Sequence, residues 1–516
     1  MSAIPYSQNC ISKVSRRDVV FIMIIAFVVV TLFSTSSFLY RFNYWEDANC
    51  IFTVGKSIFY GKVPYRDLID HKGFLLHFIN GIGSLISFRS FFGVYIMELI
   101  GGFFFLLGSY KTLLLFASRR VMYMMPFFAL FVYSLPCFKY GASAEEFCLP
   151  FLSFSFYIGL KAVKNQERLT LKEAFLLGVF ASCVFWIKYT DCGLYAGLGI
   201  GIIISYFQNG YQKHLPKAIA LFFLGLVPVT ATILLYYAFN RALFDLWMVY
   251  FYHNLFNYTI TTAGHTLIVR LLINQYIGAM QIFNNPMMLC MLIGSLIALI
   301  IRKDKKTLGF CLICFISMFV VIFIGQSYPY YPLPFAVGMP FSLLLVKYLR
   351  KWESLKRAKV LYCISLVLTI VLCAGLRTTT RGLLYSDENH LALAIGKQIM
   401  NGKDAHPSIL EYKVMDVGVY TVCGYVPECK NFCHINLKLK EQQETQENYI
   451  KTKHPTYIIS KGPLTYKDYE SVPYQFIHPS KSRRDIMHKY FPFIKPLKEK
   501  TKNDIYLYHY NKQTTP

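Results

Sequence analysis

Charge is what this sequence has least of. Asp, Glu, Lys and Arg make up 16% of its residues, whereas soluble globular domains carry about a quarter. With 55% hydrophobic and 17% aromatic residues, and a mean hydropathy of +0.40, an ordinary soluble enzyme is excluded. Acids are the scarcest charged class, 28 against 53 Lys and Arg, which gives a formal net charge of +25. In a soluble chain that balance would point to nucleic acid. In a membrane protein Lys and Arg collect in cytoplasmic loops and set topology, so no nucleic-acid partner is expected. A removable signal peptide is also missing: the first apolar run is long, lacks a cleavage-site pattern and reads as a signal anchor. No internal repeat of the kind common in transporters is evident. The 14 cysteines are scattered. Cys311-x-x-Cys314 lies inside an apolar run, where Cys is a small hydrophobe, and the polar C-terminal part has no paired CxxC or HxxxH spacing for zinc.

What is present is a series of about eleven apolar runs, the first of them long enough to cross a bilayer, that read as membrane spans. They are Val19–Tyr40, Phe91–Phe116, Val121–Pro136, Phe147–Val163, Ala174–Tyr189, Asp191–Phe207, Ala218–Asn240, Pro286–Ile301, Leu308–Ile324, Pro334–Val346 and Val360–Leu376. Lys13, Arg16 and Arg17 before the first run place residues 1–18 in the cytoplasm. Alternating crossings then put Arg119/Arg120, Lys164/Arg168/Lys172, Lys213/Lys217, Arg302/Lys303/Lys305/Lys306 and Lys347/Arg350/Lys351/Lys356/Arg357/Lys359 on that same side. The opposite loops near 137–146, 188–191 and 325–333 hold only Lys139 and Lys188. The expected architecture is an α-helical polytopic membrane domain over 19–376, followed by a small extracytoplasmic α/β domain over 377–516. The plasma (inner) membrane is the expected location. In the C-terminal domain, Asp387–Met400 and Ile435–Lys451 read as helices, and Val414–Tyr420, Thr456–Ser460 and Ile505–Tyr510 as strands. Cys423, Cys429 and Cys433 allow one disulfide and leave an odd thiol.

The stretch that stands apart is the long first outer loop, 41–90. Glu46, Asp47, Lys56, Lys62, Arg66, Asp67, Asp70, His71 and Lys72 are interleaved with Phe42, Tyr44, Trp45, Phe52, Phe59, Tyr60, Tyr65 and Phe74. That aromatic content disfavours disorder, and a loop this long in a compact protein tends to be functional. Phe74–Phe88 reads as an interfacial or re-entrant helix. Six basic residues on an outer loop go against the topology rule, which suggests that they serve a purpose. Other ionisable groups fall at outer turns: Lys139, Glu145/Glu146, Lys188/Asp191, and Asp245/His253. Charge near membrane depth is costly, so such groups are usually functional or paired. A single outer cavity with an aromatic wall (Trp45, Tyr140, Tyr189, Tyr250, Tyr252, Tyr328, Tyr330, Tyr331) suits a sugar carrying a phosphate. A carboxylate takes the proton of an attacking hydroxyl, and a cation holds the leaving phosphate. Each group also has a plainer reading. Glu145/Glu146 can cap the fourth span, Lys188 and Asp191 can be a simple ion pair, and the Tyr-Pro turn at 328–334 can be a helix breaker.

The order W-E-D-A after the first run, then G-K-V-P-Y-R-D-L, then D-H-K-G-F-L-L-H-F-I-N, resembles the GT-C superfamily of membrane glycosyltransferases. It is most similar to the branch of protein O-mannosyltransferases, lipid A aminoarabinose transferases and their bacterial relatives. Asp47 matches that branch's first-loop catalytic aspartate, within a Glu46-Asp47 pair in place of Asp-Glu. Lys72-Gly73-Phe74-Leu75 matches its Lys-Pro-Pro-Leu stretch with both prolines replaced. Tyr140-Gly141 through Glu145-Glu146-Phe147 looks like its small-residue-plus-Glu turn. The resemblance implies an inverting transfer from a polyprenyl-phosphate sugar to an envelope glycan, lipid or protein acceptor, on the outer face of the membrane. It implies Asp47 or Glu46 as base, Lys72 and Arg66 on the lipid phosphate, and Glu145 or Glu146 on the acceptor or an ion. Asp70, His71, Lys188 and Tyr328 complete the expected substrate contacts. A divalent cation (Mg or Mn) is permitted and not required. The rival classes are a transporter or flippase for a lipid-linked glycan, and a ligase or polymerase of surface polysaccharide. The latter would use the late loop with Arg241, His253, His265 and Arg270.

Overall fold

The computed structural model describes residues 14–258, 264–345, 356–477 and 505–511, apart from positions 378, 403, 405, 436, 438 and 439. Lys13, Lys347, Arg350 and Lys351, assigned above to the cytoplasmic face, lie outside the described residues. The described chain is mostly helical. Helix α1 (Arg16–Phe33) starts at a capping box, with Ser15 and Asp18 satisfying each other's backbone N–H groups. Two shorter helices, α2 (Glu46–Ile58) and α3 (Phe74–Ile86), occupy the first loop. Then come α4 (Phe92–Leu114), α5 (Met125–Ser134), α6 (Ala144–Asn165), α7 (Leu171–Lys188), α8 (Gly193–Gln208) and α9 (Leu215–Phe239).

Among the described residues, four helical segments are long and apolar enough to cross a membrane: Phe92–Leu114, Ala144–Asn165, Gln212–Phe239 and Lys305–Ile322. A fifth crossing is counted if α12 (Leu267–Phe283) and α13 (Pro286–Ile301), bent by 93°, form one broken span. The remaining expected runs are shorter, broken or more charged. The third is a 3-10 turn followed by the 10-residue α5. The tenth, Leu333–Leu345, is a 3-10 helix with Pro340 inside it. At about 2 Å rise per residue its 13 residues reach ~26 Å, further than the same number in an α-helix. The late loop is not irregular. It holds α10 (Leu243–Leu246), a π-helical turn over Trp247–His253, and α11 (Asn254–Phe256), before α12 begins. After α14 (Lys305–Ile322), α15 (Lys356–Leu376) completes the helical part.

The C-terminal segment has α16 (Leu391–Met400), α17 (Val419–Cys423) and α18 (Lys440–Lys453) around one sheet of order β1-β2-β4-β3. Strand β1 (Ile409–Tyr412) pairs in parallel with β2 (Tyr457–Lys461), and the crossover between them carries α18, as a parallel pair requires. Strands β3 (Tyr469–Val472) and β4 (Ile505–Tyr510) complete the sheet antiparallel. The expected strand at Val414–Tyr420 is corrected. The strand lies earlier, and Gly418, at φ +98°, turns the chain into α17. A Cβ at Gly418 would meet Phe42 at 2.5 Å and Asn49 Oδ1 at 2.8 Å, so only glycine lets this turn dock on the first loop.

Helix α2 joins the two parts. Its Ala48, Ile51 and Phe52 pack with α1 and α4, whereas its Cys50 and Val54 pack with Ile395, Tyr420 and Leu507 of the C-terminal segment. Polar ties reinforce the junction. Thr53 Oγ1 donates to Asp416 Oδ2 at 2.6 Å, and Lys56 Nζ donates to the Tyr420 carbonyl at 2.7 Å. The described cysteines are all free. Cys433 lies 3.4 Å, sulfur to sulfur, from Cys50, and no disulfide joins it to Cys423 or Cys429. Lys56 is fully buried, and burial pulls its ammonium down to about 7 against the opposing pull of Asp416, Cys423 and Glu411. Burial likewise pushes Asp416 up to about 6, against Thr53, Gly418 and Lys56. A lysine lowered on folding releases protons between its folded and unfolded values. Stability therefore rises with pH over that window and is lost as pH falls through 7. The melting temperature in detergent should increase from pH 7 to pH 9.5, and Lys56→Met should abolish the increase. A wild-type curve flat over that range would refute the buried-ammonium account.

Candidate active site

Five segments meet at one end of the helix bundle: the start of α2, the turn before α3, the 135–143 turn before α6, the α7–α8 turn, and the 328–331 turn. At their meeting point Asp47 is buried in the first turn of α2, where the helix dipole favours a carboxylate. Its Oδ2 accepts a 2.9 Å hydrogen bond from the Tyr330 hydroxyl, and its Oδ1 lies 3.8 Å from Lys72 Nζ. Glu46, its neighbour, is exposed. Of the acidic pair, only Asp47 is held against a cation and a phenol.

Lys72 is placed by its neighbours. Tyr65, at φ +71°, donates its hydroxyl to the Lys72 carbonyl at 2.6 Å. Gly73 N donates to the Ile187 carbonyl at 3.2 Å, and a Cβ at Gly73 would meet the Trp186 carbonyl at 2.1 Å. Glycine therefore allows the loop to touch the end of α7. The backbone at Gly73 (φ −67°, ψ 146°) is nonetheless the extended shape that proline imposes, and Phe74 is the first residue of α3, where proline is tolerated. Glycine at position 73 keeps that extended shape while its missing Cβ and its free N–H allow the contact with α7.

A buried ammonium needs partners. Burial would lower that of Lys72, and the Asp47 and Asp70 carboxylates outweigh it and hold it above the usual lysine range. Burial would raise Asp70. The hydrogen bond from His71 and the charges of Lys72 and His77 outweigh it and hold Asp70 below the usual carboxylate range. Asp70 Oδ1 accepts from the His71 N–H at 2.7 Å, and its Oδ2 lies 3.5 Å from His77 Nε2. His71 Nε2 is 3.2 Å from Lys72 Nζ. Burial pushes both histidines below their ordinary value, against the opposing pull of Asp70.

On the opposite wall Lys139 Nζ lies 4.8 Å from the Trp45 ring, 5.2 Å from Tyr330 and 5.5 Å from Tyr140, within cation–π range of all three. The turn that presents it is unusual. Lys139, Gly141 and Ala142 all have positive φ. Arg377 clamps it by donating to the carbonyls of Tyr133, Leu135 and Lys139. Deeper in, Glu145 is ion-paired to Lys188, whose Nζ sits 3.3 Å over the Tyr331 ring and 4.0 Å from Asp191. Glu146 faces away from Lys188, toward Glu98. Glu98 accepts from Ser34 Oγ at 2.8 Å and from Ala142 N at 2.6 Å.

The structure thus gathers Asp47, Lys72, Asp70 and His71, with Glu145 and Lys188 in the adjoining wall. It separates the rest. Arg66 is turned to Asp67 (2.8 Å) and to the Asn240 carbonyl (2.7 Å), which places it in the scaffold and away from Asp47. Tyr328 is only partly buried and stacks on Tyr330, and it is Tyr330 that touches the carboxylate. Of the late-loop residues, His253 lines a separate cleft of ≈ 280 Å³ with Asp245, Lys430 and Glu441, while Arg241 and His265 are exposed. Glu98 and Arg377 escaped notice in the sequence. Their signals were there: a carboxylate inside an apolar run, and a cation where outer loops are depleted of them. Among the described residues no group of three or more His, Cys, Asp or Glu is placed to hold a metal ion.

No family model and no curated protein matches the sequence. Solved structures do match its fold. The crystal structure of ArnT from Cupriavidus metallidurans bound to undecaprenyl phosphate aligns over 96% of this chain and 98% of that one, with a TM-score of 0.50 and 11% identity. The apo state of the same protein aligns over 95% and 97%, with a TM-score of 0.50 and 10% identity. The chain therefore shares the fold of these ArnT structures. Because Gly73 lies against backbone, Gly73→Ala should destabilise the fold by ~1–3 kcal/mol, read as a fall in melting temperature. An unchanged melt would remove the close contact with α7.

Proposed function

We propose that this protein transfers a sugar from a polyprenyl-phosphate donor to a hydroxyl of an envelope glycan, lipid or protein on the outer face of the plasma membrane, with inversion. The observation that carries the reading is the buried Asp47–Lys72 pair, 3.8 Å apart in a chamber walled by Trp45, Tyr330 and Tyr331. The fold shared with a structure that holds undecaprenyl phosphate supports the donor class. The eleven-crossing topology, with the N-terminus in the cytoplasm and 377–516 outside, belongs to the same proposal.

In this reading the donor phosphate enters between Lys72 and Lys139, the two ammonium groups that border Asp47. Lys72 then exchanges one carboxylate partner for the phosphate, and Asp47 is left free to act as base. The acceptor hydroxyl attacks the anomeric carbon while its proton passes to Asp47. The bond from that carbon to the phosphate oxygen breaks, and its electron pair leaves on the phosphate, where Lys72 and Lys139 stabilise the charge. Attack opposite the leaving group inverts the anomeric centre. Asp70, with His71 and His77 behind it, keeps Lys72 charged and aimed. Glu145 and Lys188 lie on the acceptor side. None of these steps involves a metal.

Purified protein in nanodiscs, given a panel of polyprenyl-phosphate sugars with acceptor, should release polyprenyl phosphate, followed by mass spectrometry. Asp47→Asn should fold normally and lose ~100-fold or more of that release, and full activity in this variant would sink the base assignment. Lys72→Ala and Lys139→Ala should each weaken donor capture, while Arg66→Ala should not. Donor affinity unaltered by either lysine change would remove that lysine from the phosphate site. Movement of intact donor between leaflets without cleavage would replace a transferase with a transporter.

A further inference from the structure

A cavity of ≈ 670 Å³ lies at the opposite end of the bundle from Asp47, between α7 and α9. Its position follows from helix direction. Helix α6 begins beside the site at Glu145 and runs 22 residues, ~33 Å, away from it. Helix α7 returns and ends at Lys188. The 166–170 and 209–214 turns therefore sit about one bilayer thickness from the catalytic chamber.

The cavity has a simple cause. Helices α7 and α9 are closest at Gly178 and Gly225, where a Cβ on either would meet the other helix's backbone: the Phe222 carbonyl at 2.0 Å, and the Phe175 carbonyl at 2.1 Å. Nearer the far end, where Leu171 and Ala174 face Ala218 and Leu221, a wedge is left between them. The turns at its mouth are pinned together, with Leu169 N donating to the Tyr206 hydroxyl at 2.9 Å and the Tyr211 hydroxyl donating to the Gln166 carbonyl at 3.2 Å. Three basic side chains border the mouth. Arg168 lies 3.3 Å from the His214 ring, and Lys217 is one turn of α9 further on. They face one acid, Glu167. The first-turn acid of α7, Glu173, is taken up by Lys161 at 2.7 Å.

An apolar wedge opening along two helices, with cations only at its membrane-surface end, matches an amphiphile with an anionic head. We propose that this wedge binds an anionic phospholipid of the leaflet opposite the catalytic chamber. Its phosphate lies against Arg168, Lys217 and His214, and its acyl chains run along Leu171, Ala174, Ala218 and Leu221. The guanidinium and ammonium contacts recognise the phosphate, while net negative headgroup charge sets the preference over zwitterionic lipids.

Native mass spectrometry of the detergent-solubilised full chain tests this, with phosphatidylglycerol and phosphatidylcholine of identical chains added in competition. The Lys72→Ala background removes capture by the Asp47 chamber. In it, phosphatidylglycerol should be retained at least threefold more than phosphatidylcholine. Arg168→Gln combined with Lys217→Gln should bring that preference to about one, while Lys213→Gln, on the same turn but outside the cavity, should leave it intact. No preference in the Lys72→Ala background overturns the proposal without reliance on any wedge variant. A preference that survives the double substitution overturns it as well. Displacement of the lipid by millimolar inorganic phosphate would identify a free-anion site and likewise refute a lipid one.

Discussion

A lysine ammonium cannot stay buried without negative partners, and Lys72 imposes that condition on everything around it. Two carboxylates answer it, from different segments: Asp47 at the start of α2 and Asp70 two residues upstream. Asp70 is in turn held by His71 and His77, and Asp47 by Tyr330 from a turn almost three hundred residues later. Holding these groups together requires the first loop to touch α7, which Gly73 permits, and the 328–331 turn to face α2. The same condition underlies the proposed reaction: a cation already balanced by two carboxylates accepts the donor phosphate by releasing one of them, and in that proposal the one released, Asp47, is the base.

Helix α2 transmits this arrangement to the rest of the molecule. It is buried on several sides at once, between the helical core and the C-terminal sheet segment. Its polar residues are therefore used in pairs at both ends, Asp47 toward the chamber and Lys56 toward Tyr420 and Asp416. The C-terminal segment is docked by burial and by neutralised charge, and Asp47 sits on the helix that receives it.

Much of this was legible in the sequence for one reason: charge is conspicuous in a chain that has little of it. Asp47, Lys72, Glu145 and Lys188 stood out beside apolar runs. The helices α4, α6, α9 and α14 could be placed closely because continuous apolarity marks them. Helix α2 escaped, because a helix packed on several sides has no polar face for periodicity to reveal. Arg66 was misplaced because its partner, the Asn240 carbonyl, comes from a distant turn. Tyr330 could not be told from Tyr328, since which ring turns inward depends on the turn itself. The 3-10 form of Leu333–Leu345 and the strand at Ile409–Tyr412 were likewise decided by tertiary packing.

Arg377 follows the last apolar helix and would be counted with the C-terminal segment on composition alone. Its guanidinium nevertheless ties down the turn that carries Lys139. The two parts of this protein are therefore not interchangeable modules. A C-terminal segment exchanged at the obvious seam, Leu376, would take the clamp of the Lys139 turn with it. The unit that holds the Lys139 turn in place ends past Thr380, whose hydroxyl donates to the Arg377 carbonyl at 2.7 Å.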